Sequence, residues 1–472
     1  MNNMNRNFRN RTDRTDRNDQ NDRYYRNDRN DRNRIKNIKN IRNDTMTNVE
    51  EIKLKFDYAN TAEELLDKDD IKCSEDVIKD ACESFDDMGG EKGLKDDLLS
   101  GIYAAGFDKP SLIQQRAIPQ LLKGREILAQ SQSGTGKTGA FTIAALELID
   151  ENVNVPQAII LSPTCELAQQ TLLVGQTIAS RMPKVNFSYT VGGTDRAVNI
   201  KELGGIYQGN VDDKVAQIVI ATPGRLIDLL SDYKDLFQNI KLLIVDECDE
   251  LLSESFRDEI KKIIENLPEM LQICLFSATL TEEVVKLSNQ ILNNPIQILI
   301  KKEKITLEGI KQTYIDINRP EDKLNVLIDM LATLPIQQFL VYVNSKKTAE
   351  LVQNFLENEN YSVVVINSSM KKYERADVLR KFRKGNIKCL ISTDLLSRGI
   401  DIQQLSLVIN YDLPREDNIQ CYIHRIGRTG RYGRIGLSIN LVTKYEKDVQ
   451  NKISAIFRCS IEPLKKDFIN NI

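Results

Sequence analysis

The sequence predicts an α/β protein built as two parallel-sheet lobes joined by a short linker and preceded by a disordered tail. Three observations predict it. At 472 residues the chain exceeds one ordinary core. Short β-rich runs alternate with helical stretches in two successive series, the pattern of parallel sheets covered by helices on both faces. The first 44 residues, by contrast, are an Asn/Arg/Asp tract with only Phe8, Tyr24 and Tyr25 as aromatics, too polar to offset the entropy of ordering.

In chain order, residues 1–44 are the disordered tail and 45–84 a partly helical lead-in. An N-terminal lobe over 85–300 carries strands at Glu126–Gln130, Ala158–Ser162, Phe187–Val191, Gln217–Ala221, Lys241–Val245, Ile273–Phe276 and Ile296–Ile300. A charged connector over 301–309 follows. A C-terminal lobe over 310–472 resumes with Phe339–Val343, Ser362–Ile366, Lys388–Ser392, Leu407–Asn410 and Ser438–Val442. Polar clusters fall just past the carboxyl ends of these strands: Ser133–Thr138, Pro163–Leu167, Thr222–Arg225, Asp246–Asp249 and Ser277–Thr279, then Asn344–Lys347 and Thr393–Asp401. Open α/β sheets bind ligands on that rim, so each lobe presents an active edge.

Composition narrows the chemistry. A hydrophobic content of 41% with 28% charged residues is a soluble balance, with no membrane-length apolar run and no signal-type N-terminus. The eight cysteines are scattered without a CxxC pair, which argues against a zinc site or a disulfide framework and for a reducing, cytoplasmic or nuclear compartment. The net charge of −3 hides an asymmetry: the tail has 13 Lys and Arg against 7 Asp, +6, leaving −9 for the rest. Any nucleic-acid grip in the folded part therefore comes from local patches and backbone amides. A single histidine, His424, excludes mechanisms built on several.

Three motifs carry chemistry. Ser131-Gln132-Ser133-Gly134-Thr135-Gly136-Lys137-Thr138 fits a P-loop. Small residues let backbone N–H groups close round a phosphate, Lys137 reaches the β/γ-phosphates, and Thr138 is placed to ligate Mg²⁺. Some 110 residues on, the apolar run Leu242–Val245 delivers Asp246 and Glu247 to the same rim, one acid for the metal and one for the attacking water. In the second lobe His424-Arg425-Ile426-Gly427-Arg428-Thr429-Gly430-Arg431 sets three arginines and two glycines in eight residues, suited to a γ-phosphate.

This set, in order, resembles the DEAD-box RNA helicases of superfamily 2 over essentially all of residues 85–472. Ser133–Thr138, Thr306–Gln312 and Ser406–Pro414 look most like the branch of eukaryotic translation initiation factor 4A. The resemblance implies RecA-like lobes, ATP and Mg²⁺ as cofactors, and an ATPase that locally unwinds RNA. It implies that Gln114 reads the adenine edge with Phe85 stacking nearby, and that Ser133, Gly134, Thr135, Gly136, Lys137 and Thr138 hold the phosphates. Asp246 would hold the metal, Glu247 the water, Asp401 the ribose, and Arg428 and Arg431 the γ-phosphate. Ser277 and Thr279 would couple hydrolysis to strand separation. Gly192, Gly193, Thr222, Gly224, Arg225, Arg375, Thr393, Arg398 and His424 would line the RNA track or the lobe interface. RNA binding should be sequence-independent, by a monomer, with an initiation-factor-type scaffold as partner.

Several letters depart from the family. Cys165 stands where it usually has Arg, Asn367-Ser368 where it has His-Gly, and Lys372 where it has Gln. The chain is also longer around Gly89–Gly93 and Gly204–Lys214. These changes leave the ATP side whole and fall on the RNA side. They admit a second reading, an ATP-gated RNA clamp with little unwinding. A DNA helicase of the same superfamily is a third.

Overall fold

The computed structural model describes residues 71–131, 134–206, 214–253, 256–300, 310–333, 338–367, 369–394, 405–429 and 436–464. The expected tail, residues 45–70 of the lead-in, the connector 301–309, and Ser133, Ser368, Arg398, Asp401 and Arg431 lie outside the described residues.

The first sheet contains β1 (Ile71–Lys72), β2 (Ile127–Gln130), β3 (Ala158–Leu161), β4 (Phe187–Thr190), β5 (Ile218–Ala221), β6 (Leu242–Val245), β7 (Gln272–Ser277) and β8 (Ile296–Ile300). Their order is β1-β8-β2-β7-β6-β3-β5-β4. All pairings from β8 to β4 are parallel, and only the short β1 runs antiparallel, against β8. Alternate residues feed opposite cores. Ala158 and Ile160 face one with Leu98, Ile102, Phe141 and Val174, and Ile159 and Leu161 face the other with Leu226, Leu229, Ile260 and Val284. A sheet covered on both faces is why these strands read as continuous apolar runs.

The second sheet has the order β11-β12-β10-β13-β14-β9-β15, with all its pairings parallel. Here β9 is Ile310–Ile317, β10 Phe339–Tyr342, β11 Val363–Ile366, β12 Cys389–Ser392, β13 Leu407–Asn410, β14 Gly436–Thr443 and β15 Glu462–Pro463. Leu340, Leu390 and Val408 pack on one face, and Val341, Ile391 and Ile409 on the other. Each strand read from the sequence is present within a residue or two of its expected ends. Strand β9 was not expected. It pairs along its full length with β14, and its mixed Ile-Lys-Gln-Thr-Tyr-Ile-Asp-Ile text shows neither an apolar run nor a clean alternation.

Candidate nucleotide and nucleic-acid site

Backbone bonds that prolong the ladders carry the motifs onto the rim of the first sheet. Ser131 N–H donates to the Ser277 carbonyl (2.9 Å), and Asp246 N–H to that of Leu161 (2.9 Å). Gly134 and Gly136 take φ of +86° and +95°, left-handed values that side chains with a Cβ resist. Gly136 then caps the helix Lys137–Leu148, leaving its first N–H groups and positive end facing the loop. A Cβ on Gly136 would lie 2.7 Å from Gln114 Nε2 and 2.8 Å from Ser111 Oγ, so the loop is close-fitted. At the other end of that helix Lys95 Nζ donates to the carbonyls of Leu146, Glu147 and Ile149 (3.0, 2.7 and 2.6 Å), anchoring it.

Lys137 is buried, and its Nζ has no hydrogen-bond partner among the described residues; the same holds for Glu247 Oε2. A buried ammonium and a buried carboxylate oxygen left unsatisfied are costly without a ligand. Glu247 also sits at φ +50°, ψ +52°, a strained conformation for a residue with a side chain. Asp246 is fully enclosed. Burial first, then the neighbouring Glu247 charge, pushes its carboxyl up to about 7, with Lys137 opposing. This donor set fits an anion held by the loop and Lys137, and a divalent cation on Asp246 with half-buried Thr138 nearby.

Gln114 is buried and fixed at both ends: its Oε1 accepts from Ser111 N–H (2.8 Å), and its Nε2 donates to the Gly136 carbonyl (3.1 Å). Each atom retains capacity for one more bond. Phe85 departs from the stacking expectation. It is completely buried, edge-on to Tyr103 and Phe107, so its ring braces the wall and offers no face to a base.

Asp249, which closes the acidic cluster Asp246–Asp249 and was given no role of its own from the sequence, organises the coupling residues. Its Oδ1 accepts from Ser277 Oγ (2.8 Å) and its Oδ2 from Thr279 Oγ1 (2.6 Å). His424 Nε2, from the second sheet's lobe, shares a 3.0 Å hydrogen bond with the same Oδ2. Ligand atoms of Glu247, Asp249 and His424 lie within 4.8 Å of one another. With both oxygens of Asp249 already occupied by Ser277, Thr279 and His424, this cluster is a hydrogen-bonded link between lobes. The third acid of the box, three residues after Asp246, was the available signal.

The second lobe supports His424 from below. Arg425, fully buried, donates to Asp394 Oδ1 (Nε, 2.7 Å), the Asp412 carbonyl (Nη1, 2.6 Å) and Asn344 Oδ1 (Nη2, 2.9 Å). It is therefore a scaffold arginine that ties together three strand ends. Arg428 follows one turn later, and its carbonyl accepts from Leu405 N–H (2.8 Å).

The expected RNA-side residues of the first lobe gather at the ends of β4 and β5. Gly192 N–H donates to Thr222 Oγ1 (3.3 Å), and Arg225 donates to Asn199 Oδ1 and the Thr194 carbonyl (3.0 Å each). Gly193 and Gly224 are exposed, and a Cβ on Gly224 meets nothing within 4 Å, which leaves open room above the helix start. Thr393 lies half-buried past β12, where its carbonyl accepts from Ser392 Oγ (2.7 Å). Arg375 takes the second of its two expected places, the interface between the lobes: it is buried and engaged with Glu166 of the first lobe.

A phosphate loop and an acid pair on one sheet's rim, linked to an arginine-bearing helix of a second sheet, define a two-lobed P-loop nucleoside triphosphatase. Residues 111–287 match the DEAD/DEAH box helicase family and residues 322–433 the helicase conserved C-terminal domain. The chain is 41% identical to ATP-dependent RNA helicase eIF4A of Saccharomyces cerevisiae, over 81% of this chain and 93% of that protein. It is 40% identical to ATP-dependent RNA helicase fal1 of Schizosaccharomyces pombe, over 85% and 98%. Among solved structures, S. cerevisiae Dbp5 bound to RNA and ADP BeF3 superposes with a TM-score of 0.73 at 35% identity, covering 83% of this chain and 97% of that one. The chain belongs to the DEAD/DEAH box helicase family.

Proposed function

We propose that this protein hydrolyses ATP as its two lobes close on single-stranded RNA, and that the closure locally unwinds or remodels that RNA. It is an ATP-dependent RNA helicase similar to initiation factor 4A, and the relatives' names favour that activity over the clamp alternative. The observation that carries the coupling is the Asp249 cluster, where the acid box, Ser277, Thr279 and His424 of the other lobe share one carboxylate.

Within this reading, residues 85–300 and 310–472 make up the two lobes, and the first also takes in β1 and Val77 from the lead-in, which join its sheet and core. The loop amides, Lys137 and Thr138 bind the triphosphate, and Gln114 orients the adenine. Mg²⁺ would be held by Asp246 and Thr138 and would neutralise developing phosphate charge. Glu247, strained and with an unsatisfied oxygen, orients the attacking water. Arg428, with Arg431, meets the γ-phosphate on closure, and Asp401 the ribose. Gly192, Gly193, Thr222, Gly224, Arg225, Thr393 and Arg398 form the RNA track, reading phosphates and 2′-hydroxyls rather than bases. The protein acts as a cytoplasmic monomer with an initiation-factor-type scaffold; among the described residues no helix is long and apolar enough to cross a membrane. The test is phosphate release with and without poly(U) RNA. Marked stimulation is expected, and equal rates would contradict coupling through closure.

A further inference from the structure

The contacts around Cys165 support a step beyond that reading, and rest on it. Cys165 opens the helix Cys165–Ile178, capped by Thr164, whose Oγ1 accepts from Leu167 N–H (3.3 Å). Glu166 follows in the first turn, where the helix dipole favours a carboxylate. Its Oε2 accepts from the Cys165 thiol at 3.1 Å. Its Oε1 accepts from Arg375 Nε at 2.9 Å and lies 2.6 Å from Arg375 Nη2. Arg375 comes from the helix Lys372–Arg383 of the second lobe, 209 residues further along the chain. Its remaining nitrogen, Nη1, donates to the Met370 carbonyl at 3.2 Å, so all three guanidinium nitrogens are engaged. The two side chains are only 9% and 15% exposed.

We infer that Cys165 and Glu166 are positioning residues that latch the second lobe onto the first through Arg375, so that this chain closes partly without RNA. Two features make the latch specific. The thiol occupies one carboxylate oxygen and leaves the other to the guanidinium fork, a charge-assisted arrangement stronger than a neutral bond. An arginine at position 165, as the resemblance leads one to expect, would set a second cation against Arg375 and compete for Glu166. In this chain Arg375 faces no such competitor and is held by protein rather than offered to phosphate. An exposed ion pair contributes little. This one is largely buried, and a bias of about tenfold in the closed population is the scale of effect it can exert.

RNA-free hydrolysis scales with that closed population, whereas saturating RNA drives closure by itself. Glu166→Gln is therefore expected to lower RNA-free turnover about tenfold while changing kcat at saturating poly(U) by less than about twofold. Arg375→Gln should lower the RNA-free rate equally, and the double variant no further, the non-additivity of a shared contact. Cys165→Arg should also lower it, while steepening the salt dependence of RNA binding by about one phosphate contact. Small-angle scattering of the full chain with ADP and beryllium fluoride, without RNA, gives a readout independent of turnover. The wild type should be more compact than Glu166→Gln, with equal melting temperatures for the isolated nucleotide-free states. Identical scattering curves, or additive losses in the double variant, would overturn the latch. Absence of hydrolysis even with RNA would instead count against the helicase reading, and the scattering comparison would still decide the latch.

Discussion

Asp246→Asn in the protein stripped of nucleotide and divalent cations offers a test with a calculable size. Burial and the adjacent Glu247 raise the Asp246 carboxyl from 3.8 to about 7. Between those values the folded protein holds a proton that the unfolded chain has lost, so stability falls as pH rises through the interval. The whole interval corresponds to roughly 4 kcal/mol, of which about 2 kcal/mol lies between pH 5.5 and 7 and is complete by pH 8. Asparagine keeps the acceptor oxygen that takes the Glu247 N–H at 3.0 Å but never ionises. The variant should therefore gain on the wild type as pH rises. For a lobe of about 200 residues, 2 kcal/mol is roughly 4–8 °C of melting temperature. Scanning calorimetry in EDTA at pH 5.5 and 8 measures it. A wild-type-to-variant difference that is the same at both pH values would refute the assignment of a strained, ligand-seeking acid pair. Adding Mg²⁺ with nucleotide at pH 8 should raise the wild-type transition more than the variant's, which keeps the phosphate loop but lacks the metal-holding carboxylate.

Other expectations follow from single contacts. Lys137→Ala should abolish turnover at any RNA concentration, measured by phosphate release. Gln114→Ala orphans the Ser111 N–H and removes one of the two donors to the Gly136 carbonyl, which keeps the Ala140 N–H; at about 1–3 kcal/mol for the orphaned group, it should raise KM for ATP about tenfold while leaving RNA affinity unchanged in a filter-binding assay. Asp249→Asn disturbs three bonds at once, and should reduce RNA-stimulated hydrolysis at least about a hundredfold with nucleotide affinity retained. Gly101→Ala would set a methyl 1.9 Å from the Ile178 carbonyl oxygen, and should destabilise the first lobe by roughly 1–3 kcal/mol or more in urea unfolding.

Much of this architecture was legible because both sheets are buried on both faces. Runs such as Leu242–Val245 and Leu407–Asn410 announce such strands directly, and the polar residues after them mark the rim. Strand β9 escaped because its burial comes partly from Gln312 and Thr313, polar residues whose environment is created by β14 and Tyr422. The two-residue strands β1 and β15 carry too little text for any period. At the site, residue types sufficed for Lys137, Asp246 and Glu247, whose chemistry is local. They did not reveal that Asp249 is the shared partner of Ser277, Thr279 and His424, since those bonds span 28, 30 and 175 residues. Nor did they show that Phe85 is sealed by its neighbours, or that Arg375 is bound to Glu166. Each of these depends on how distant segments pack, which a linear pattern does not encode.

The most direct test of the central claim compares RNA stimulation of phosphate release in the wild type and His424→Ala. His424 reaches Asp249 across the lobes without belonging to the phosphate loop. Poly(U) should accelerate the wild type strongly and the variant hardly at all, with equal ATP affinity in both. A variant that kept the full stimulation would contradict coupling through this contact.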